Sequence, residues 1–269
     1  MNYYRAYGLT IESEFDLPEL PTTTDRSAEV SFRRGDVDPV PKSDGQKESF
    51  RSTASENVAR LTYDPVGSFL IEAGTRVTFD PTTNEVVERV ITRRLFENQM
   101  MGLVLHQRGH LVLHASAVAV DGKAIVFLGQ RGAGKSTMAA AFHQAEYEVF
   151  EDDTLGVRFE DGVPTVIPGV PQLRLRPQTA ETLGIDSVTG STFGSDSEKV
   201  HVSLSDVPDP APLAQCYRLK RGEPFAFEEL SLSDKFFNLL SRTFVRGLLR
   251  DTDAAGDHFE QCADVITAA

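Results

Sequence analysis

Lysine is scarce in this chain: 7 lysines stand against 20 arginines and 40 acidic residues, and the formal net charge is −13. Such an acidic surface repels phosphate backbones, which argues against nucleic acid as a partner. The acidic excess, the lysine deficit and the many threonines match proteins of salt-rich cytoplasm, where screening makes the charge tolerable. An ordinary acidic protein with a chance lysine deficit is the alternative. Cysteine is limited to Cys216 and Cys262, which lack metal-ligand spacing and read as ordinary thiols. No apolar run approaches the roughly 20 residues that span a bilayer. The opening MNYYRAYGLTIESEF lacks the basic-then-apolar pattern of a signal peptide. The expectation is a cytoplasmic protein with no membrane partner. Internal repeats and low-complexity linkers are missing as well.

What is present divides in two. Residues 1–90 carry short apolar-alternating pieces at Tyr7 to Ile11, Val30 to Arg33, Ala59 to Tyr63, Ser68 to Glu72 and Arg76 to Phe79, broken by Pro, Gly and Asp. The polar stretch Pro39 to Ser55 reads as a loop. This β-rich region holds no obvious chemistry. Residues 91–269 read as a second, α/β domain. Leu95, Met100, Leu103, Val104 and His106 fall at helical spacings and predict a helix ending near Arg108 and Gly109. LVLHASAVAV then alternates as strand, Asp121-Gly122 signals a hairpin, and Ala124 to Leu128 is a continuous apolar strand. A glycine-rich loop, a helix from about Lys135 to Gln144, and a strand Tyr147 to Phe150 follow, ending in Glu151-Asp152-Asp153. Strand, glycine loop, helix, strand, acid is the order of a nucleotide-binding α/β core.

The loop GQRGAGKST fits G-x-x-x-x-G-K-[ST]. Gly129, Gly132 and Gly134 are expected to permit positive φ and let the backbone close round a phosphate. The N–H groups of the loop, Ala133 included, and of the following helix start at Lys135, Ser136 and Thr137 form an anion nest. Lys135 reaches the β and γ phosphates, and the Ser136 hydroxyl ligates magnesium. These residues predict binding of ATP or a close relative with Mg²⁺. Asp152 and Asp153 end the next strand, where ligands of such sheets collect; an acid there holds magnesium or takes a proton from an attacking hydroxyl, and a solvated acidic turn is the alternative. His114, alone in an apolar strand, reads from the sequence as a core residue or a site residue. His106, His110, His143, His201 and His258 carry less.

The stretch from His114 to Asp153 resembles the catalytic core of the HPr kinase/phosphorylase family. Those enzymes place a histidine on a strand, a Gly-bearing hairpin, a P-loop, a helix and a paired Asp at the end of the next strand. Here the histidine stands 21 positions before the P-loop lysine, and the two aspartates 17 and 18 after it. The wider chain is similar to HPr kinase-like serine kinases, including those encoded beside peptide-modification systems, in YRAYGLTIESEFDLPEL, LHQRGHLVLHASAVAVDGKAIVFLG and PGVPQLRLRP. The resemblance implies a P-loop domain of the HPr kinase C-terminal, PEP carboxykinase-like type. It implies that Asp153 takes the proton of an accepting serine, that Asp152 helps with magnesium or orients its neighbour, and that His114 supports Asp153 or polarises the phosphoryl oxygens. Lys199 matches either a basic residue near the phosphates or a solvated surface lysine. The family's magnesium-binding glutamate has no counterpart: PGVPQLRLRP occupies its place with Gln172, Arg174 and Arg176, and Thr137 stands where HPr kinase usually has Glu.

The expected activity is ATP-dependent phosphorylation of a serine hydroxyl on a peptide or small protein. A small-molecule kinase, and a nucleotide-dependent switch with little turnover, are the competing readings. A homo-oligomer stays open.

Overall fold

The computed structural model describes residues 1–42, 49–185, 199–244, 252 and 254–269. It is a mixed α/β structure whose residues gather into two compact units, one built on Met1–Gly109 and one on residues 110–244 with 257–269. The sequence placed a boundary at residues 90 and 91. In the structure the helical segment before Gly109 groups with the first unit.

The first unit holds β1 (Asn2–Ala6), β2 (Leu9–Ser13), β3 (Val30–Arg34), β4 (Phe50–Ser55), β5 (Val58–Tyr63), β6 (Gly67–Glu72) and β7 (Arg76–Pro81) in one sheet of order β1-β2-β3-β7-β6-β5-β4. Phe15, Phe32, Phe69, Phe79 and Phe96 form its aromatic core. The helices α1 (Asn84–Val87), α2 (Val90–Arg94) and α3 (Met101–Gln107) follow, with a π-helical stretch at Leu95–Met100 between the last two. Gly109, at φ 79°, ends this run as the expected C-terminal glycine.

Two sequence expectations are corrected here. Tyr7 to Ile11 is not one strand, because Tyr7 and Gly8 both take positive φ (55° and 72°) and form the turn between β1 and β2. Pro39 to Ser55 is not all loop. Phe50–Ser55 is the edge strand β4, in which Arg51 is the one buried residue, so no apolar pattern marks it.

The second unit is built on β8 (Leu111–His114), β9 (Ser116–Val120), β10 (Lys123–Leu128), β11 (Val149–Glu151), β12 (Thr154–Glu160), β13 (Val163–Ile167) and β16 (Ala211–Arg218), in the order β11-β9-β10-β16-β13-β12-β8. The strands β14 (Gln172–Leu175) and β15 (Val200–Ser203) form a separate antiparallel pair. The helices are α4 (Lys135–Gln144), α5 (Pro177–Thr182), α6 (Leu232–Arg242) and α7 (Ala255–Ala268). Asp121 and Gly122, at φ 49° and 71°, make the β9–β10 hairpin that the sequence signalled. Strand β10 is covered on both sides. Ala124, Val126 and Leu128 join a core with Leu239 of α6 and with Cys262 and Val265 of α7. Phe127 joins a second core with Ala139 and Ala140 of α4. This double burial explains why the strand reads as continuously apolar rather than alternating. Both cysteines are free, and burial pushes both thiols up to about 12.

Candidate active site

The glycine loop runs from the buried end of β10 to the start of α4. Gly132 and Gly134 have φ of 81° and 109°, as expected. Gly129 corrects the sequence reading, because its φ is not in the left-handed region. It is needed for space instead: a Cβ there would stand 2.8 Å from the Ala133 Cβ and 3.3 Å from the Leu219 carbonyl oxygen. Helix α4 starts at Gly134 with no side-chain cap and no acidic residue in its first turn. Its first residue is Lys135, only 8% exposed, whose Nζ donates to the Gly129 carbonyl (3.2 Å). Burial lowers the Lys135 pKa; Asp153 and Asp152 oppose that, while Arg242 and Lys199 add to it. A buried cation at the positive end of an uncapped helix is unfavourable by itself, and becomes favourable when an anion sits between them.

The pairing of strands carries the acids to this loop. Glu151 pairs with Ala117 across β11 and β9, which sets Asp152 beside Ser116. Thr154 pairs with His114 across β12 and β8, which sets Asp153 beside His114. The buried Asp152 accepts from Ser116 Oγ at Oδ1 (2.7 Å) and from the Arg174 N–H at Oδ2 (3.0 Å). Burial raises its pKa, against hydrogen bonds from Arg174, Ser116 and Ser136. Asp153 meets His114 Nδ1 at 2.8 Å through Oδ1 and an Arg174 Nη at 3.0 Å through Oδ2. Burial would push this carboxyl up. The His114 hydrogen bond and the charges of Arg174 and Lys199 outweigh that and hold it at about 2. The sequence-derived residues Lys135, Ser136, Asp152, Asp153 and His114 are thus brought together, and Lys199 lies within their electrostatic reach. Gly129, Gly132, Ala133 and Gly134 form the loop, and Thr137 lies exposed on the first turn of α4.

Several participants were not assigned a role from the sequence. Glu151 is 2% exposed, and its carboxylate accepts from the backbone N–H groups of Asp152 (2.9 Å), Asp153 (3.1 Å) and Val170 (2.8 Å). Burial raises it to about 7, with the Val170 and Asp152 N–H groups and Arg174 opposing and the Asp153 charge adding to the rise. It fixes the turn that presents both aspartates. Its only sequence signal is an acid directly following the apolar strand residues Val149 and Phe150. Arg174 stands between buried Leu173 and Leu175 on β14, an arginine in an apolar strand that needs a partner. Arg242, at the end of α6, donates to the Gly129 carbonyl (3.3 Å), and Arg221 donates to that of Gly132 (3.3 Å). Neither gives a local sequence signal. In a protein of net charge −13, arginines and lysines nonetheless gather round one loop.

Asp152 and the Ser136 hydroxyl, which favours the charged form of Asp152, offer two hard oxygen ligands beside the loop. That fits Mg²⁺, which takes one or two protein oxygens and completes its shell with phosphate oxygens and water. Among the described residues no cluster of three His, Cys, Asp or Glu suited to a metal occurs. A cavity of about 410 Å³ lined by Asp121, Gly122, Tyr147 and Pro208 lies at the hairpin end of β10, away from these groups. No described helix is long and apolar enough to cross a membrane.

No protein-family model matches the chain, and no curated protein matches it. Among solved structures the chain is similar to the Hpr(Ser) kinase/phosphatase from Coxiella burnetii, at 16% identity, covering 45% of this chain and 72% of that one, with a TM-score of 0.29. A superposition that loose gives no residue-by-residue correspondence, so the chemistry of the site rests on its own geometry.

Proposed function

We propose that the chain is an ATP- and Mg²⁺-dependent phosphotransferase that uses GQRGAGKST as a P-loop and phosphorylates a serine hydroxyl on a peptide or small protein. The observation that carries this reading is buried Lys135 at the uncapped start of α4, within electrostatic reach of the Asp152 and Asp153 carboxylates. Loop N–H groups and Lys135 bind the β and γ phosphates, and Arg242, Lys199 and Arg174 supply further positive charge at their rim. Ser136 and Asp152 would hold magnesium, which would supply positive charge to offset that of the phosphates. Asp153 orients the acceptor hydroxyl and takes its proton.

A carboxylate held at about 2 is a weak base. Transfer of this kind proceeds through a loose transition state in which little nucleophilic push is needed, so orientation dominates. A second reading is favoured by the hydrogen bonds of Asp153: both its oxygens are engaged, by His114 and Arg174, while His114 is the more exposed partner, 41% against 26%. In that reading His114 takes the proton and Asp153 holds its ring in position.

The test is transfer of labelled γ-phosphate from ATP to components of a host lysate at high salt, with the labelled species identified by mass. A labelled serine-containing peptide or protein supports the proposal. A labelled metabolite reassigns the acceptor, and the lack of any labelled product leaves a nucleotide-binding switch.

A further inference from the structure

We propose that the exposed aromatic pair Phe225 and Phe227 is the platform for the purine base of the bound nucleotide. This rests on the phosphate-binding reading of the glycine loop. Every residue from Arg221 to Glu229 is exposed, and Phe225 and Phe227 are 87% and 75% exposed. Leaving two such rings in water forgoes the hydrophobic gain that burial would give each, and they are not scattered surface residues. Their rings meet edge to face at 5.3 Å, and Phe227 lies 5.7 Å from Tyr217 of β16. Tyr217 is the strand partner of Phe127 on β10, and those two rings stack at 6.4 Å. A ladder of rings therefore climbs from the strand that carries the glycine loop to the surface.

The segment is tied to the loop by its own backbone and by a side chain. The Leu219 N–H donates to the Leu128 carbonyl (2.7 Å), and Arg221 donates to the Gly132 carbonyl (3.3 Å). Arg221 and Phe225 are four residues apart, at most about 13–14 Å of extended chain.

Direction then follows from strand order. Asp152 is held by Ser116, the β9 partner of Phe127 on one flank of β10; the aromatic segment follows β16, on the other flank. Two strand spacings, roughly 10 Å, separate β10 from β11. A triphosphate lying across the loop with its terminal phosphate toward Asp153 projects its base over β16.

Charge agrees with that direction. Glu223, Glu228 and Glu229 flank the phenylalanines and exclude phosphate from this side, but they do not oppose an uncharged base. A peptide acceptor has to present its hydroxyl at Asp153, on the opposite side of the loop.

The experiment is calorimetric titration of ATP–Mg²⁺ and of inorganic tripolyphosphate–Mg²⁺ into the parent chain and into Phe225→Ala, Phe227→Ala, Phe227→Tyr and Lys135→Ala. Phe225→Ala and Phe227→Ala each remove one surface ring, so folding is checked by the melting temperature. Stacking of one base on an aromatic ring sets the expected loss in ATP affinity at roughly 5- to 150-fold per alanine variant. Tripolyphosphate affinity should not change, and Phe227→Tyr should bind ATP like the parent. Lys135→Ala should weaken both ligands. Alanine variants that bind ATP like the parent, or that lose ATP and tripolyphosphate equally, overturn the platform and leave the phosphate reading standing. A parent chain that binds neither ligand overturns the phosphate reading, and the platform falls with it.

Discussion

Replacing Asp153 by asparagine keeps the side chain's shape and one carbonyl acceptor but removes its charge and its ability to take a proton. If Asp153 accepts the proton of the acceptor hydroxyl, transfer should fall by about 10² to 10⁴, or about 3–5 kcal/mol of barrier at 1.36 kcal/mol per tenfold. The substitution also costs stability. The folded-state pKa lies at about 2 against an ordinary 3.8, which corresponds to about 2 kcal/mol favouring the native state. Because the folded value is depressed, this contribution is fully present above about pH 4 and is lost as pH falls toward 2. For a unit of this size the variant should melt roughly 4–8 °C lower at neutral pH and should lose the acid-range part of the parent's pH dependence. Rates must therefore be compared well below either melting temperature. ATP affinity should change little, since Asp153 faces His114 and Arg174 rather than the loop backbone. His114→Asn separates the two proton acceptors, because its amide can still donate to Asp153 but cannot take a proton. A loss of under tenfold assigns the proton to Asp153, and a loss of 10² or more assigns it to His114. Parental transfer by both variants would refute the proposed chemistry altogether.

Lys135→Ala should abolish most triphosphate affinity while melting at or above the parent's temperature, since it removes a desolvated cation from the positive end of α4. Adding ATP–Mg²⁺ should then raise the melting temperature of the parent only. Glu151→Gln should lower stability by about 1–3 kcal/mol, because an amide nitrogen replaces one acceptor of three backbone N–H groups. It should also cut transfer by displacing both aspartates, read as a fall in kcat larger than the rise in KM for ATP. If the net charge of −13 is an adaptation to salt, the melting temperature should rise from low to molar KCl; a flat or falling trend refutes that.

The parts of this site that could be read from the sequence are those whose chemistry is local. Gly132, Gly134, Lys135 and Ser136 act through their own backbone and their immediate neighbours, so a nine-residue window displays them. Helix α4 spans the expected residues because its bounds are set by Gly134 and by the end of apolar packing near Phe142. Arg242 was invisible because it reaches Gly129 across 113 positions of sequence, and only the packing of α6 on the sheet brings them together. Glu151 was named only as part of an acidic triplet, since burial decides whether an acid is solvated or organises a turn. Edge strand β4 and the Tyr7-Gly8 turn depart from the sequence reading for separate reasons: the one buried residue of FRSTAS is Arg51, so no apolar alternation marks the strand, and Tyr at positive φ is an uncommon choice.

The two-sided burial of β10 has a further consequence, for the ranking of motions. A strand enclosed by two cores exchanges its amide protons only in the rarest openings of a domain. The glycine loop hangs from that strand at Leu128, whose carbonyl is also held by the Leu219 N–H. The cradle thus has an immobile root, whereas residues 221–229 have no buried side chain to restrain them. Adjustment to different ligands therefore falls to the periphery. If 221–229 form the base platform proposed above, sequence change there retunes what the site accepts without disturbing the strand that carries the glycine loop.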